Sequence, residues 1–174
     1  MALRTIVSTP EPVLRRKARP VKKFDSDLQT LVDDMIDTMR EAPGVGLAAP
    51  QVGISQRVIV VEYAEPVEVE EGQEPVEVEP KLYAMVNPEI VKASPETEMG
   101  VEGCLSVPIL VGEVERAHEV RLRGFNRHGQ PMKLKVDGWL ARIFQHEIDH
   151  INGVVFTDLA TQVWQPEEPV EDKV

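Results

Sequence analysis

The chain contains the sequence Phe144-Gln145-His146-Glu147-Ile148-Asp149-His150-Ile151-Asn152-Gly153, in which two histidines lie four residues apart and a glutamate follows the first. Residues at this spacing share one face of an α-helix, about one turn apart, so His146 and His150 can bind one metal ion. Glu147 is rotated by about 100° around the helix axis, so its carboxylate can reach a metal-bound water without replacing it. This H-E-x-x-H pattern therefore predicts a helix that supplies two metal ligands.

The flanking sequence indicates how far this helix extends. Apolar residues recur at three- and four-residue steps, as expected for one helix face, at Leu140, Ile143, Phe144, Ile148 and Ile151. Trp139, directly after Gly138, is predicted to start the helix. Gly153 stands where a C-terminal cap is expected.

Two histidines are too few ligands for a stable site, and the remaining candidate is Cys104. It is the only cysteine, which excludes an internal disulfide and a cysteine-rich zinc cluster. It could be a buried small apolar residue, a reactive thiol or the third ligand. A Cys-His-His set with one open position is typical of a catalytic centre, because structural zinc sites are closed by four protein ligands. His118 and His128, at polar strand-edge or turn positions, are interpreted as surface histidines.

Length and composition favour one domain without a membrane span. The 174 residues are enough for one sizeable core. No apolar run approaches the roughly 20 residues that a bilayer requires, and no signal peptide is recognisable, so we expect a cytoplasmic protein. We expect one catalytic domain over residues 1–160, an acidic surface-loop insertion at 64–80 and an acidic, flexible tail over 161–174.

Most of the negative charge is local. The net charge is −11, but residues 65–79 hold seven glutamates and the tail contributes −3, so the rest of the chain is nearly neutral. Nucleic-acid binding through a broad basic face is therefore not supported. A basic cluster between Arg15 and Lys23 could meet RNA, but we favour the interpretation of a solvated arm.

Periodicity elsewhere predicts a mixture of helix and strand. An apolar stripe from Leu28 to Met39, with Asp25 or Ser26 as the cap, predicts a second helix that ends at Pro43-Gly44. Residues 57–61, 82–86 and 89–91 are predicted strands, and residues 119–125 and 131–136 a β-hairpin. The Val-Glu repeat within 64–80 fits either two short strands or a mobile loop.

Three stretches, in this order, resemble the three motifs of the peptide deformylases, G-x-G-x-A-A-x-Q, E-G-C-L-S and Q-H-E-x-D-H. They are Gly44-Val45-Gly46-Leu47-Ala48-Ala49-Pro50-Gln51, Glu102-Gly103-Cys104-Leu105-Ser106 and Gln145-His146-Glu147-Ile148-Asp149-His150. The likeness runs from about Arg4 to Asp158.

The resemblance implies an α+β fold with mixed, mainly antiparallel sheets around the central metal-binding helix. It implies a bacterial enzyme that removes the N-formyl group from the initiator methionine of nascent chains and releases formate, with docking to the ribosome near the exit tunnel as a further possibility. It matches Cys104, His146 and His150 to the ligands of one divalent metal, usually Fe²⁺ and often replaced by Zn²⁺ or Ni²⁺. Glu147 matches the acid/base, and Gln51 and the backbone N–H of Leu105 match the oxyanion donors. By position around the motifs, the residues expected to bind the methionine side chain are Val45, Gly46, Trp139, Arg142 and Ile143.

Two features depart from the family pattern. The turn Ile109-Leu110-Val111-Gly112 lacks the arginine with which many relatives contact the substrate backbone, and we expect this protein to lack the long C-terminal helix of some relatives. The alternatives are an H-E-x-x-H metallopeptidase, a non-catalytic formyl-peptide binder and a structural metal protein. The thiolate ligand and Gln51 argue against the first, and Glu147 argues against the other two.

Overall fold

A computed structural model describes residues 2–168, which form two antiparallel sheets, three α-helices and two short 3-10 helices, Pro12–Arg15 and Ala49–Val52. The first sheet has the order β1-β2-β3-β6-β7, with strands Gly46–Ala48, Val58–Tyr63, Lys81–Ala93, Glu119–Phe125 and Pro131–Asp137. The second has the order β4-β5-β8, with strands Thr97–Cys104, Val107–Ala117 and Gln162–Trp164. The helices are α1, Ser26–Glu41, α2, Gly138–Ile151, and α3, Phe156–Leu159. The predicted α+β class with mainly antiparallel sheets is confirmed.

The helix that carries the two histidines lies at the centre of the molecule. Eleven of the 14 residues of α2 are buried. Its apolar side chains pack on one face of the first sheet, against Ile59, Met85 and Leu122. The helix begins at Gly138, one residue earlier than predicted, and Gly153 follows it with φ 78°, as expected for a residue that ends a helix. A helix enclosed on nearly all sides holds its polar side chains in fixed positions.

Helix α1 covers the opposite face of the same sheet. Its cap is Asp25, whose Oδ1 accepts a hydrogen bond from the N–H of Leu28 at 3.1 Å. The stripe from Leu28 to Met39 packs against Val58 and Val60. Strand β2 therefore alternates, with Ile59 and Val61 towards α2 and Val58 and Val60 towards α1. None of the helices among the described residues is long and apolar enough to span a bilayer.

The acidic segment 64–80 is a surface loop between β2 and β3. It leaves one strand and enters the next at the paired residues Tyr63 and Lys81. It contains no strand, and Val67 and Val76 are 55% and 58% exposed. The short strands that the Val-Glu alternation suggested are absent because the valines find no apolar surface to cover and the glutamates would lie beside one another.

The chain after residue 160 is only partly a tail. Residues Gln162–Trp164 form β8, which pairs with Val111–Glu113 of β5. A domain boundary at residue 160 is therefore too early, because the backbone of this segment completes the edge of the second sheet. The end of the predicted tail, residues 169–174, lies outside the described residues.

Candidate active site

The structure brings one cysteine and two histidines together inside the protein. Cys104 ends β4, and its Sγ lies 3.3 Å from Nε2 of His150. Nε2 of His146 lies 3.2 Å from the same His150 atom. All three side chains are buried, and their ligand atoms lie within 4.8 Å of one another.

This set of donors fits a divalent metal ion. A tetrahedral ion with bonds of about 2.0–2.3 Å to nitrogen and sulfur holds neighbouring ligand atoms roughly 3.3–3.6 Å apart. The two distances around His150 are close to that spacing. A thiolate and two neutral imidazoles also suit the softer first-row metals.

Burial controls the protonation of these candidate ligands. Burial, with a smaller contribution from the Glu147 and Glu102 carboxylates, raises the pKa of the Cys104 thiol to about 12. Burial, helped by nearby His146 and Arg116, lowers the pKa of His150 well below its ordinary value. The imidazole is thus already in the neutral form that binds a metal, whereas the thiol would have to release its proton to solvent when a cation binds.

Glu102, two residues before Cys104, orients the first histidine. Its Oε1 lies 2.8 Å from Nδ1 of His146. Burial opposes ionisation, but hydrogen bonds from Arg116 and His146 lower the pKa of Glu102 well below its ordinary value. Since an ionised carboxylate only accepts, Nδ1 of His146 carries the proton and Nε2 presents its lone pair to the cluster.

Two buried arginines neutralise Glu102. Arg116 donates to both carboxylate oxygens at 2.9 and 2.8 Å, and its Nη1 reaches Asp149 at 2.5 Å. Arg142 donates from Nη1 to Glu102 Oε2 at 2.7 Å and also reaches the carbonyls of Val114 and Glu98, both at 2.9 Å. The network joins α2 to both long strands of the second sheet.

Glu147 differs from Glu102 in having no such partners. It is fully buried, and neither carboxylate oxygen has a hydrogen-bond partner among the described residues. Burial, followed by the negative charge of Glu102, raises the pKa of Glu147 well above its ordinary value. A carboxyl group with a raised pKa beside a candidate metal site is suited to accept and return a proton.

The small residues of the first motif let three segments meet. A Cβ on Gly46 would stand 2.6 Å from Glu147 Oε1, and one on Gly44 would stand 2.8 Å from Leu105 Cδ1. Gln51 is fully buried, and its Nε2 lies 3.2 Å from Ser106 Oγ and 3.6 Å from Cys104 Sγ. Its Oε1 accepts from the N–H of Ala48 at 2.9 Å, which fixes the amide with its N–H groups towards the cysteine.

The residues expected to bind the methionine side chain fall into two groups. Val45, Trp139 and Ile143 share one apolar cluster, together with the core face of α2. The guanidinium of Arg142 lies over the Trp139 ring, 5.4 Å from its centroid, and is held by Glu102. Only the aliphatic part of Arg142 is therefore available to contact a methionine side chain.

The histidines interpreted as surface residues lie outside the cluster. His128 is exposed. Nδ1 of His118 lies 2.6 Å from Glu98 Oε1, and this hydrogen bond raises the pKa of His118.

Sequence reasoning missed the charged groups that surround the candidate ligands. Glu102, Arg116, Arg142 and Asp149 form one connected set. Glu102 and Asp149 stand in the quoted motifs, but only Arg142 was assigned a role, through its aliphatic stem. A usable signal was present at Arg142, because it lies four residues before His146 on the same face of the helix, beside the predicted metal site. A charge at such a position needs a buried partner.

Comparison with known proteins gives a consistent result. The family model for polypeptide deformylase matches residues 3–165. A peptide deformylase of Symbiobacterium thermophilum is 46% identical over 173 residues, covering 99% of this chain and 74% of the relative. One of Desulforudis audaxviator is 45% identical over 168 residues, covering 97% of this chain and all of the relative.

A solved structure agrees with the fold as a whole. The crystal structure of peptide deformylase from Thermotoga maritima superposes with a TM-score of 0.80 at 41% identity, covering 93% of this chain and 100% of that one. With its buried Cys-His-His cluster and these similarities over nearly its whole length, the chain belongs to the polypeptide deformylase family of metal-dependent hydrolases.

Proposed function

We propose that this protein removes the N-formyl group from N-formylmethionine at the start of nascent polypeptides and releases formate. The observation that carries the proposal is the buried Cys104-His146-His150 cluster with the unpartnered carboxylate of Glu147 on the same helix. This arrangement supports hydrolysis, because it combines ligands for a Lewis acid with a group that can transfer protons.

Cys104, His146 and His150 would hold one divalent ion, most simply Fe²⁺, with Zn²⁺ or Ni²⁺ as substitutes. When bound, such an ion polarises the formyl carbonyl and lowers the pKa of a water molecule. Glu102 keeps His146 in the tautomer that can bind the ion.

Glu147 takes the proton of the attacking water and later returns one to the leaving amine. Its burial and the absence of other hydrogen bonds to it among residues 2–168 leave both oxygens available for this exchange. The α-amino group of the methionine is the leaving group, and formate is the acid released.

Gln51 and the backbone N–H of Leu105 stabilise the oxygen that becomes negative. The amide of Gln51 is fixed by Ala48 on one side and faces Ser106 and Cys104 on the other. Preorganised donors of this kind each contribute about 2.7–4 kcal/mol to the transition state.

The methionine side chain is bound by an apolar surface that adjoins Glu147. We assign it to Val45, Trp139 and Ile143, to the stem of Arg142 and to the bare backbone of Gly46. Gly46 contributes by leaving room, since any side chain there would reach the Glu147 carboxylate.

The partners that follow from this activity are formylated nascent chains and, at the exit tunnel, the ribosome. A bacterial cytoplasm is the location at which such chains are available. DNA and membranes have no part in the proposal.

One assay separates this proposal from its alternatives. Purified, metal-loaded protein is incubated with formyl-Met-Ala-Ser and with acetyl-Met-Ala-Ser, and formate and free amines are measured. We expect formate from the first peptide and no hydrolysis of the second. Cleavage at an internal amide bond would identify a metallopeptidase, and tight binding of the formyl-peptide without formate would identify a binding protein.

A further inference from the structure

Five cations lie on the surface along residues 16–23, a segment named here the basic strip. They are Arg16, Lys17, Arg19, Lys22 and Lys23, all exposed, and the strip contains no acidic residue. The whole chain carries a net charge of −11, so this segment has the opposite sign to the protein that bears it.

The backbone of the basic strip is fixed to the body of the protein. Ala18 N–H donates to the carbonyl of Ile151 at 2.8 Å, and Arg19 N–H donates to Ser55 at 3.1 Å. The amide of Asn87 bonds both the N–H and the carbonyl of Val21, at 2.8 and 2.9 Å. Ala18 and Val21 are buried, so the chain is anchored on one side and presents its cations on the other. A ligand of these cations would not have to order the backbone.

The cations of the basic strip lack acidic partners. Within residues 2–168, none of the five lies within 4.0 Å of a carboxylate, whereas the neighbouring Arg4 and Arg15 are paired with Asp34 and Asp158. A surface groove of about 670 Å³ is lined in part by Arg19, Lys22 and Lys23. The acidic residues in its lining are Asp25 and Asp27. Asp25 is already engaged as the cap of α1.

We propose that the basic strip binds the phosphate backbone of RNA. The basic strip is poorly suited to a protein partner. Stable protein interfaces have an apolar centre, whereas residues 12–27 include no large apolar side chain that is exposed. A phosphate backbone needs only positive charge and hydrogen-bond donors, which five arginine and lysine side chains supply. RNA is the phosphate polymer that surrounds a nascent chain as it leaves the ribosome, and to this extent the inference rests on the proposed function.

The test is the binding of a labelled 20-nucleotide single-stranded RNA, followed by fluorescence anisotropy between 50 and 200 mM salt. The strip variant carries R16Q, K17Q, R19Q, K22Q and K23Q. The control variant carries five substitutions to glutamine on the exposed face of β3, β6 and β7, at Lys92, Arg121, Arg123, Lys133 and Lys135, all exposed. Both variants lose five positive charges, so a difference in RNA binding between them reports where the cations lie and not the net charge of the protein.

We expect the wild type to bind with a Kd in the range of about 10⁻⁶–10⁻⁴ M and the strip variant to bind at least tenfold more weakly. At about 0.7 per phosphate contact, the slope of log K against log salt should fall by up to about 3.5 in the strip variant. The control variant should keep most of the RNA affinity and most of the salt dependence. No binding by the wild type, or equal losses in the two variants, would overturn the proposal.

Two further measurements identify the partner and separate this inference from the proposed function. Poly-glutamate or vesicles with anionic lipid should compete poorly with RNA, and better competition by either would also overturn the proposal. Formate release from formyl-Met-Ala-Ser should be unchanged in both variants, which shows that they fold. RNA binding by an inactive wild type would contradict the proposed function alone, and full activity without RNA binding would contradict the docking surface alone.

Discussion

The carboxylate of Glu147 lies directly against the backbone of Gly46, with 2.6 Å between Glu147 Oε1 and the position of a Cβ on Gly46. Glu147 is fully buried and cannot move aside into solvent. The first motif therefore shapes the space that the carboxylate occupies.

Gly46→Ala is expected to displace this carboxylate and to lower kcat by about 10²–10⁴-fold, the usual contribution of a positioned acid or base. Steady-state deformylation with metal content determined on the same sample tests this. Gly44→Ala is the matched control, because the half-buried Leu105 side chain that it would touch can rotate. Equal rates for Gly46→Ala and wild type would show that the carboxylate position is not critical.

Glu147→Gln should retain the metal and the fold, because the three ligands remain and the change is nearly isosteric. Turnover should fall by about 10²–10⁴-fold, with kcat affected more than KM. Kinetics and metal analysis of one preparation check both expectations. A fully metallated variant within threefold of the wild-type rate would remove Glu147 from the mechanism.

Cys104→Ser should weaken metal binding and abolish metal-dependent turnover. A serine hydroxyl stays protonated at neutral pH and is a poorer ligand for a soft first-row ion than a thiolate. Metal content after dialysis against a mild chelator is the measurement. Full occupancy in the variant would mean that the two histidines find a different third ligand.

Glu102→Gln should be strongly destabilising, because it leaves the buried charges of Arg116 and Arg142 without their shared partner. Breaking a buried ion pair from one side typically costs about 3–5 kcal/mol. The change in the free energy of unfolding is measured by urea denaturation, with Glu62→Gln as the control. Glu62 pairs with the half-exposed Arg40, and loss of such a surface pair should cost under about 1 kcal/mol.

Replacing residues 64–80 with Asn-Gly should leave deformylation within twofold of the wild type. The loop joins the directly paired residues Tyr63 and Lys81, a geometry that a two-residue turn can close. A shorter loop costs no more closure entropy, so stability should be unchanged or higher. Loss of folding or of kcat would show that the acidic loop is part of the active domain.

The sequence was sufficient for features that depend on local spacing. The helix around His146 and His150, the cap at Asp25 and the hairpin 119–125/131–136 each follow from residues close together in the chain. The meeting of Cys104 with the two histidines was inferred from chemistry and by resemblance.

Features that depend on tertiary contacts were not accessible in this way. The bonds of Glu102 to Arg116 and Arg142 join residues 14 and 40 positions apart, and nothing in the periodicity of either strand or helix specifies them. Strand β8 was missed because Gln162–Trp164 is too short for an alternating pattern to be recognised, and only the edge of β5 determines that it pairs. The conformation of 64–80 was ambiguous because its valines favour strand whereas its glutamates oppose pairing.

The contact between Arg142 and Gly100 also restricts how this protein can diverge. A Cβ on Gly100 would stand 2.7 Å from the guanidinium carbon of Arg142, so no larger residue fits at position 100 while the arginine is present. If Arg142 is first replaced by an apolar residue, Glu102 keeps its pairing with Arg116, and position 100 becomes free to vary. If Gly100 is replaced first, the new side chain clashes with Arg142. Descendant lineages should therefore lose the arginine before they lose the glycine, and the two positions should change as a dependent pair.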